Sequence, residues 1–116
     1  MSLLKSFIAA IHGIRQAVTA QRNIKIQIGA ALLVIAVGIY VDLGPVDWCL
    51  VVLAIGMVLS SELMNSAVET LVDLVEPRQH PLAGRAKDIA AGSVLVAAIA
   101  AVVIGFLVFG KYIPWP

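Results

Sequence analysis

The sequence predicts an all-α integral membrane protein, in which an N-terminal amphipathic surface helix precedes three transmembrane helices. Two observations carry this prediction: 61% of the 116 residues are hydrophobic, and they fall into three long runs. A soluble chain of this length could not bury so much apolar surface. The formal net charge of +1 offers no basic field for nucleic acid, and a single cysteine excludes an internal disulfide.

Residues 1–20 show the pattern of an amphipathic helix. Apolar side chains recur there at helical spacing, with basic side chains between them. The apolar positions are Leu4, Phe7, Ile8, Ile11, Ile14 and Val18. We expect this helix to lie in the plane of the lipid headgroups, where an apolar face meets the acyl chains.

Three membrane spans are predicted, at 24–42, 47–75 and 89–110, within one domain covering 1–116. In the first span, Lys25 can extend toward the interface, which leaves enough length to cross a core of ~30 Å. The second span continues without a breaker to Pro77 and is longer than the bilayer requires, so its C-terminal turns should protrude. The third span carries no charge, and residues 76–88 before it are predicted to be a polar loop.

The distribution of basic residues predicts the orientation in the membrane. Lysine and arginine precede the first span and follow the second, whereas the first turn has none. Because cytoplasmic segments carry the excess of basic residues, the N-terminus and the second loop should be cytoplasmic and the C-terminus outside.

A stripe of polar side chains at the end of the second span is the main functional signal. Glu62, Asn65, Glu69 and Asp73 fall within about 80° of arc on one helix, given ~100° per residue. An acidic group in hydrocarbon costs roughly 2.5–3.5 kcal/mol on the insertion scale, so such groups are retained mainly for function.

Three interpretations of this stripe follow from the residues alone. Carboxylate and amide oxygens are suited to Mg²⁺, and Lys87 beside Asp88 could neutralise a transferred phosphate, which indicates phosphoryl chemistry. A buried polar network that joins helices through Lys87 or Arg85 is the structural alternative. A proton or ion pathway is a third, weakened by the lack of acids in the other spans.

The longer motif around this stripe resembles a known family. Glu62-Leu-Met-Asn-Ser-Ala-Val-Glu69, followed by Val72-Asp73 and by His80-Pro-Leu-Ala-Gly-Arg-Ala-Lys-Asp-Ile-Ala-Ala-Gly92, resembles the small bacterial membrane lipid kinases. That family comprises the prokaryotic diacylglycerol kinases and the undecaprenol kinases. The resemblance extends over nearly the whole chain.

The resemblance implies a homotrimer in the bacterial inner membrane, with active sites shared between subunits, that transfers the γ-phosphate of Mg-ATP to a lipid hydroxyl. It implies that Glu62 is the general base and that Glu69 is a magnesium ligand, with Asp73 in support. It also implies a set of residues that hold ATP and its phosphates: Lys5, Gln21, Asn65, His80, Lys87 and Asp88.

Two positions depart from the family pattern. Gln21 stands where members commonly carry a glutamate that shares the metal, and Ser2 stands where some have arginine. An amide oxygen can ligate Mg²⁺ without charge, so we expect Gln21 to serve with reduced metal affinity. A catalytically weak relative that acts as a membrane oligomer is the alternative that Gln21 raises.

The loop motif from His80 to Gly92 looks more like the undecaprenol kinases than the diacylglycerol kinases. Undecaprenol is therefore the expected substrate, with diacylglycerol as the alternative. The generic apolar side chains that would face lipid cannot distinguish the two by themselves.

Overall fold

The computed structural model describes residues 2–116, and no strand occurs among them. Four α-helices follow one another, α1 Leu3–Ala20, α2 Arg22–Val41, α3 Pro45–Val75 and α4 Pro81–Phe109, before a short 3₁₀ turn, Gly110–Tyr112. The helices α2, α3 and α4 are each long and apolar enough to cross a membrane. The prediction of an all-α, multi-pass membrane protein is therefore confirmed.

Helix α1 is capped by Ser2, whose hydroxyl accepts a hydrogen bond from the backbone N–H of Lys5 at 3.2 Å. No residue of α1 is buried. Its apolar side chains are 49–77% exposed at Leu3, Leu4, Phe7, Ile8, Ile11 and Ile14. A single residue, Gln21, separates α1 from α2. That α1 lies on the membrane surface stays a prediction.

The turn from α2 to α3 depends on two backbone features. Asp42 has φ 60°, the left-handed conformation that ends many helices, and the N–H of Leu43 returns to the carbonyl of Gly38 at 3.1 Å. A Cβ on Gly38 would lie 2.8 Å from Cη2 of Trp48 and 2.9 Å from Cδ1 of Leu43. Glycine at position 38 thus allows Trp48 and Leu43 to pack onto α2.

Helix α3 is continuous over 31 residues, which corresponds to ~46 Å at the α-helical rise. It begins at Pro45, two residues before the predicted start of the span, because proline suits the first helical position. It ends at Val75, as predicted, ahead of Pro77. Since a hydrocarbon core is ~30 Å thick, several of its turns extend beyond that core.

The prediction of a polar loop over 76–88 was wrong for residues 81–88, which form the first turns of α4. The side chain of His80 caps this helix, accepting from the N–H of Leu82 at 3.1 Å, and Pro81 takes the first position. Hydropathy marks where a helix leaves hydrocarbon, not where its hydrogen bonding ends. The polar segment before Ile89 was therefore mistaken for a loop.

The most extensive packing in the bundle joins α3 to α4, and α2 packs mainly on α3. An apolar groove with a volume of about 510 Å³ runs along the three helices. It extends from Gln27, near the start of α2, to Ile113, beyond the end of α4. At this far end, Nζ of Lys111 lies 2.7 Å from Oδ2 of Asp47, which ties the C-terminal segment to the start of α3.

Candidate functional site

The polar stripe on α3 passes from buried to exposed along the helix. Glu62 is 2% exposed and Asn65 is 7% exposed, whereas Glu69 is half-buried and Asp73 is exposed. Because α3 is unbroken through all four positions, helical spacing alone places them on one side. The deepest carboxylate is thus Glu62, and the stripe opens toward the connection between α3 and α4.

Glu62 meets a polar partner from another helix. The Nε2 atom of Gln27, on α2, donates a hydrogen bond to Oε2 of Glu62 at 3.4 Å. This is the one side-chain hydrogen bond between α2 and α3 among residues 2–116. Gln27 also lines the apolar groove, at one of its ends. The hydrogen bond therefore connects the carboxylate of Glu62 to that end of the groove.

One turn further along, Asn65 and Glu69 form a pair. The Nδ2 atom of Asn65 donates to Oε1 of Glu69 at 3.2 Å. The Oδ1 atom of Asn65 is buried and has no hydrogen-bond partner among the described residues. Because a buried acceptor without a partner costs free energy, Oδ1 is suited to receive a ligand.

These two side chains fit a magnesium ion by their chemistry. A carboxylate and an unsatisfied amide oxygen are hard oxygen donors, which Mg²⁺ prefers. No group of three or more His, Cys, Asp or Glu side chains suitable for a metal occurs within residues 2–116. Mg²⁺ is usually held by one or two carboxylates together with substrate phosphates, so a small protein donor set is compatible with it.

An ion pair joins α3 to α4 near the end of the bundle. Nζ of Lys87 contacts Oδ1 of Asp73, and the two side chains are 39% and 60% exposed. An exposed pair of this kind stabilises a protein by only about 0–1 kcal/mol. Asp73 and Lys87 also line a polar cavity of about 590 Å³, together with Arg78 and His80. The ammonium group of Lys87 is therefore placed beside a space that a charged ligand could enter.

The remaining predicted site residues are placed less closely together. The side chain of His80 is engaged as the cap of α4, and Asp88 is exposed on the first turns of α4. Gln21 is half-buried at the junction of α1 and α2, where its backbone N–H bonds to Ala17. Lys5 is exposed on α1, and its ammonium group makes no ion pair within the described part of the chain.

The sequence prediction did not include two polar residues of this region, the half-buried Gln27 and the buried Ser66. Gln27 was treated only as part of the first span, although no other polar side chain occurs between Lys25 and Tyr40. An isolated amide inside an apolar run is the signal that could have identified it. Ser66, beside Asn65, is 8% exposed, and its hydroxyl has no hydrogen-bond partner in the described structure. Serine is common in membrane helices, so Ser66 gave no comparable signal.

The fold and the site together define a helical multi-pass membrane protein with a carboxylate-lined site at one end of its bundle. Comparison with known families makes this class specific. The sequence model described as prokaryotic diacylglycerol kinase matches residues 8–109. The chain belongs to this family, and it is accordingly an ATP-using lipid kinase.

Individual relatives cover much of the chain. It is 42% identical to an undecaprenol kinase of Bacillus subtilis, over 90% of this chain and 85% of the relative. It is 41% identical to a diacylglycerol kinase of Synechocystis, over 90% of this chain but only 60% of that longer relative. It is 30% identical to a diacylglycerol kinase of Haemophilus influenzae, over 92% of both chains.

Proposed function

We propose that this protein phosphorylates the hydroxyl group of a membrane lipid alcohol at the expense of ATP, and that undecaprenol is its substrate. One observation carries the proposal: Glu62 is 2% exposed on a helix long and apolar enough to span a membrane, and its carboxylate is hydrogen-bonded to Gln27, which lines one end of an apolar groove. The groove suits the hydrocarbon part of the alcohol. Glu62 suits its hydroxyl group.

In the proposed reaction, Glu62 acts as the general base. Its carboxylate takes the proton of the lipid hydroxyl while the hydroxyl oxygen forms a bond to the γ-phosphorus of ATP. The bond between that phosphorus and the bridging oxygen of ADP breaks, and ADP leaves with the electron pair. A carboxylate in hydrocarbon is maintained at a cost, and base catalysis is a role that offsets that cost.

Glu69 is the proposed magnesium ligand, with Oδ1 of Asn65 as a second oxygen donor and Gln21 as a neutral one. When bound, Mg²⁺ would neutralise negative charge on the phosphates of ATP. The hydrogen bond from Asn65 to Glu69 orients the carboxylate and leaves Oδ1 without another partner. Asn65 can therefore hold Glu69 and face a ligand at the same time.

The polar cavity between α3 and α4 is the proposed site for the nucleotide. Lys87 would lie against the phosphates, held in place by Asp73, and Asp88 and His80 would help to shape the site. Lys5 is proposed to approach the phosphates from α1. Phosphoryl transfer depends on positioning and charge neutralisation, and these are the roles such side chains can supply.

We further propose that the working unit is a homotrimer in the bacterial plasma membrane, with its N-terminus and the segment between α3 and α4 in the cytoplasm. More than thirty large apolar side chains, such as Leu32, Leu53 and Leu107, are exposed in the single chain. Lipid and neighbouring subunits would cover them. A cytoplasmic position for the α3–α4 end would give the site access to ATP, and the excess of basic residues there agrees with it.

Diacylglycerol is the second candidate substrate, supported by relatives that carry that name. Gln21 motivates a further possibility, a relative with weak activity. One experiment separates the three. The purified protein in mixed micelles is given γ-labelled ATP, Mg²⁺ and equal amounts of undecaprenol and diacylglycerol, and the labelled lipids are separated. Label mainly in undecaprenyl phosphate supports the proposal. Label mainly in phosphatidic acid would identify diacylglycerol as the substrate. Label in neither product would refute kinase activity on undecaprenol and on diacylglycerol.

A further inference from the structure

We propose that Gln27 is a positioning residue for Glu62, and that its amide fixes the carboxylate in the orientation that accepts the proton of the substrate. The inference rests on the proposed function, in which Glu62 is the base. Its starting point is the 3.4 Å hydrogen bond between Nε2 of Gln27 and Oε2 of Glu62.

Gln27 is the side chain that holds the Glu62 carboxylate in place. Within residues 2–116, Glu62 makes no ion pair, and its carboxylate accepts no other side-chain hydrogen bond. The other polar groups of the stripe are engaged elsewhere, since Glu69 pairs with Asn65 and Asp73 pairs with Lys87. A nearly buried carboxylate without a donor would be free to change its rotamer.

The orientation of the amide follows from the charge on its partner. With Glu62 ionised, the reverse orientation would bring Oε1 of Gln27 against Oε2 of Glu62, and two acceptors would face each other. The assigned orientation leaves Oε1 of Gln27 buried without a partner. An unsatisfied buried acceptor is tolerated here because the N–H donor is directed to the carboxylate, which is the stronger interaction.

Position 27 also explains which carboxylate oxygen is available. Because Oε2 of Glu62 is occupied by Gln27, the other oxygen is left to accept the hydroxyl proton. Gln27 is the only polar residue among those that line the apolar groove, so a lipid hydroxyl at the end of the groove would arrive beside this pair. The 3.4 Å contact is longer than most N–H···O hydrogen bonds, as catalytic hydrogen bonds often are before substrate binds.

The test compares variants at position 27 that keep or remove the donor. Gln27→Met has similar length and no donor, whereas Gln27→His retains a ring N–H. We expect Gln27→Met to lower kcat about tenfold with the KM for Mg-ATP unchanged, and Gln27→His to restore part of the loss. Gln16→Met, which replaces an exposed glutamine on α1, is the matched control and should leave both constants unchanged. If Gln27→Met does not fold, Gln27→Leu serves instead, because leucine has a similar volume and no hydrogen-bond donor.

A second measurement detects the hydrogen bond between Gln27 and Glu62 independently of catalysis. The infrared stretching band of the Glu62 carboxyl group, assigned by its loss in Glu62→Gln, should shift in Gln27→Met and stay near its original position in Gln27→His. Active wild-type protein with an unchanged kcat and an unchanged band in Gln27→Met would overturn the role of Gln27 and leave the kinase proposal standing. Wild-type protein without kinase activity would refute the proposed function and, with it, a role for Gln27 in catalysis. The band would then show only whether the contact exists.

Discussion

Replacing Glu62 with glutamine should abolish most of the kinase activity without unfolding the protein. The side chain is 2% exposed, so an isosteric amide fits the same space and creates no cavity. Its carbonyl oxygen can accept the hydrogen bond that Nε2 of Gln27 now donates to Oε2 of Glu62. The variant therefore removes the basic function and preserves the packing.

The expected size of the loss follows from the isolation of Glu62. General-base catalysis contributes about 10²–10⁴-fold, which corresponds to roughly 2.7–5.4 kcal/mol in the barrier. Glu69 is the next carboxylate on the stripe, about 10 Å away along the helix axis, and it is engaged by Asn65. No neighbouring group can therefore take over the proton, and kcat should fall by at least a hundredfold.

The assay measures labelled phosphate transfer from ATP to undecaprenol in mixed micelles, with thermal unfolding of each variant recorded in the same detergent. Asp42→Asn is the control, since it removes a carboxylate at the opposite end of α3, and asparagine also adopts the left-handed conformation. We expect Asp42→Asn to retain wild-type kcat. A Glu62→Gln protein that stays folded and keeps more than a tenth of wild-type kcat would refute the assignment of the base.

Three further predictions concern the metal, the ion pair and the packing. Gln21→Glu should lower the Mg²⁺ concentration needed for half-maximal activity, because it adds a charged oxygen donor. An unchanged Mg²⁺ dependence would refute the proposal that residue 21 is a magnesium ligand. Asp73→Asn should cost less than about 1 kcal/mol of stability, because the ion pair with Lys87 is exposed. Lys87→Met should lower kcat strongly at similar stability, and wild-type turnover in Lys87→Met would refute a role for the ammonium group at the phosphates. Gly38→Ala should be about 1–3 kcal/mol less stable than Gly29→Ala, as measured by denaturation in detergent. A Cβ at position 38 would collide with side chains, whereas a Cβ at position 29 would have nothing within 4 Å. Equal stabilities of the two variants would contradict the observed packing of the turn.

Part of the candidate site could be predicted from the sequence because it lies on one helix. The spacing of Glu62, Asn65 and Glu69 defines a common face for any continuous α-helix, and the structure shows that α3 is continuous through them. The burial of Glu62 and Asn65 agrees with the cost of exposing such groups to hydrocarbon. The roles assigned to these residues stay proposals.

The start of α4 could not be read from hydropathy. Residues 81–88 are polar because they extend past the apolar part of the helix, yet their backbone hydrogen bonds are those of α4. The cap formed by His80 and the position of Pro81 were the local signals. They were outweighed in the prediction by the polar composition of the segment.

What the sequence determined by itself was the number of spanning helices and the polar stripe, because hydropathy and helical period are properties of consecutive residues. Only the tertiary structure decided that Gln27 reaches Glu62, that Asp73 meets Lys87 and that Gly38 admits Trp48. These contacts join positions far apart in the chain. Their geometry depends on how the helices pack, which no local pattern specifies.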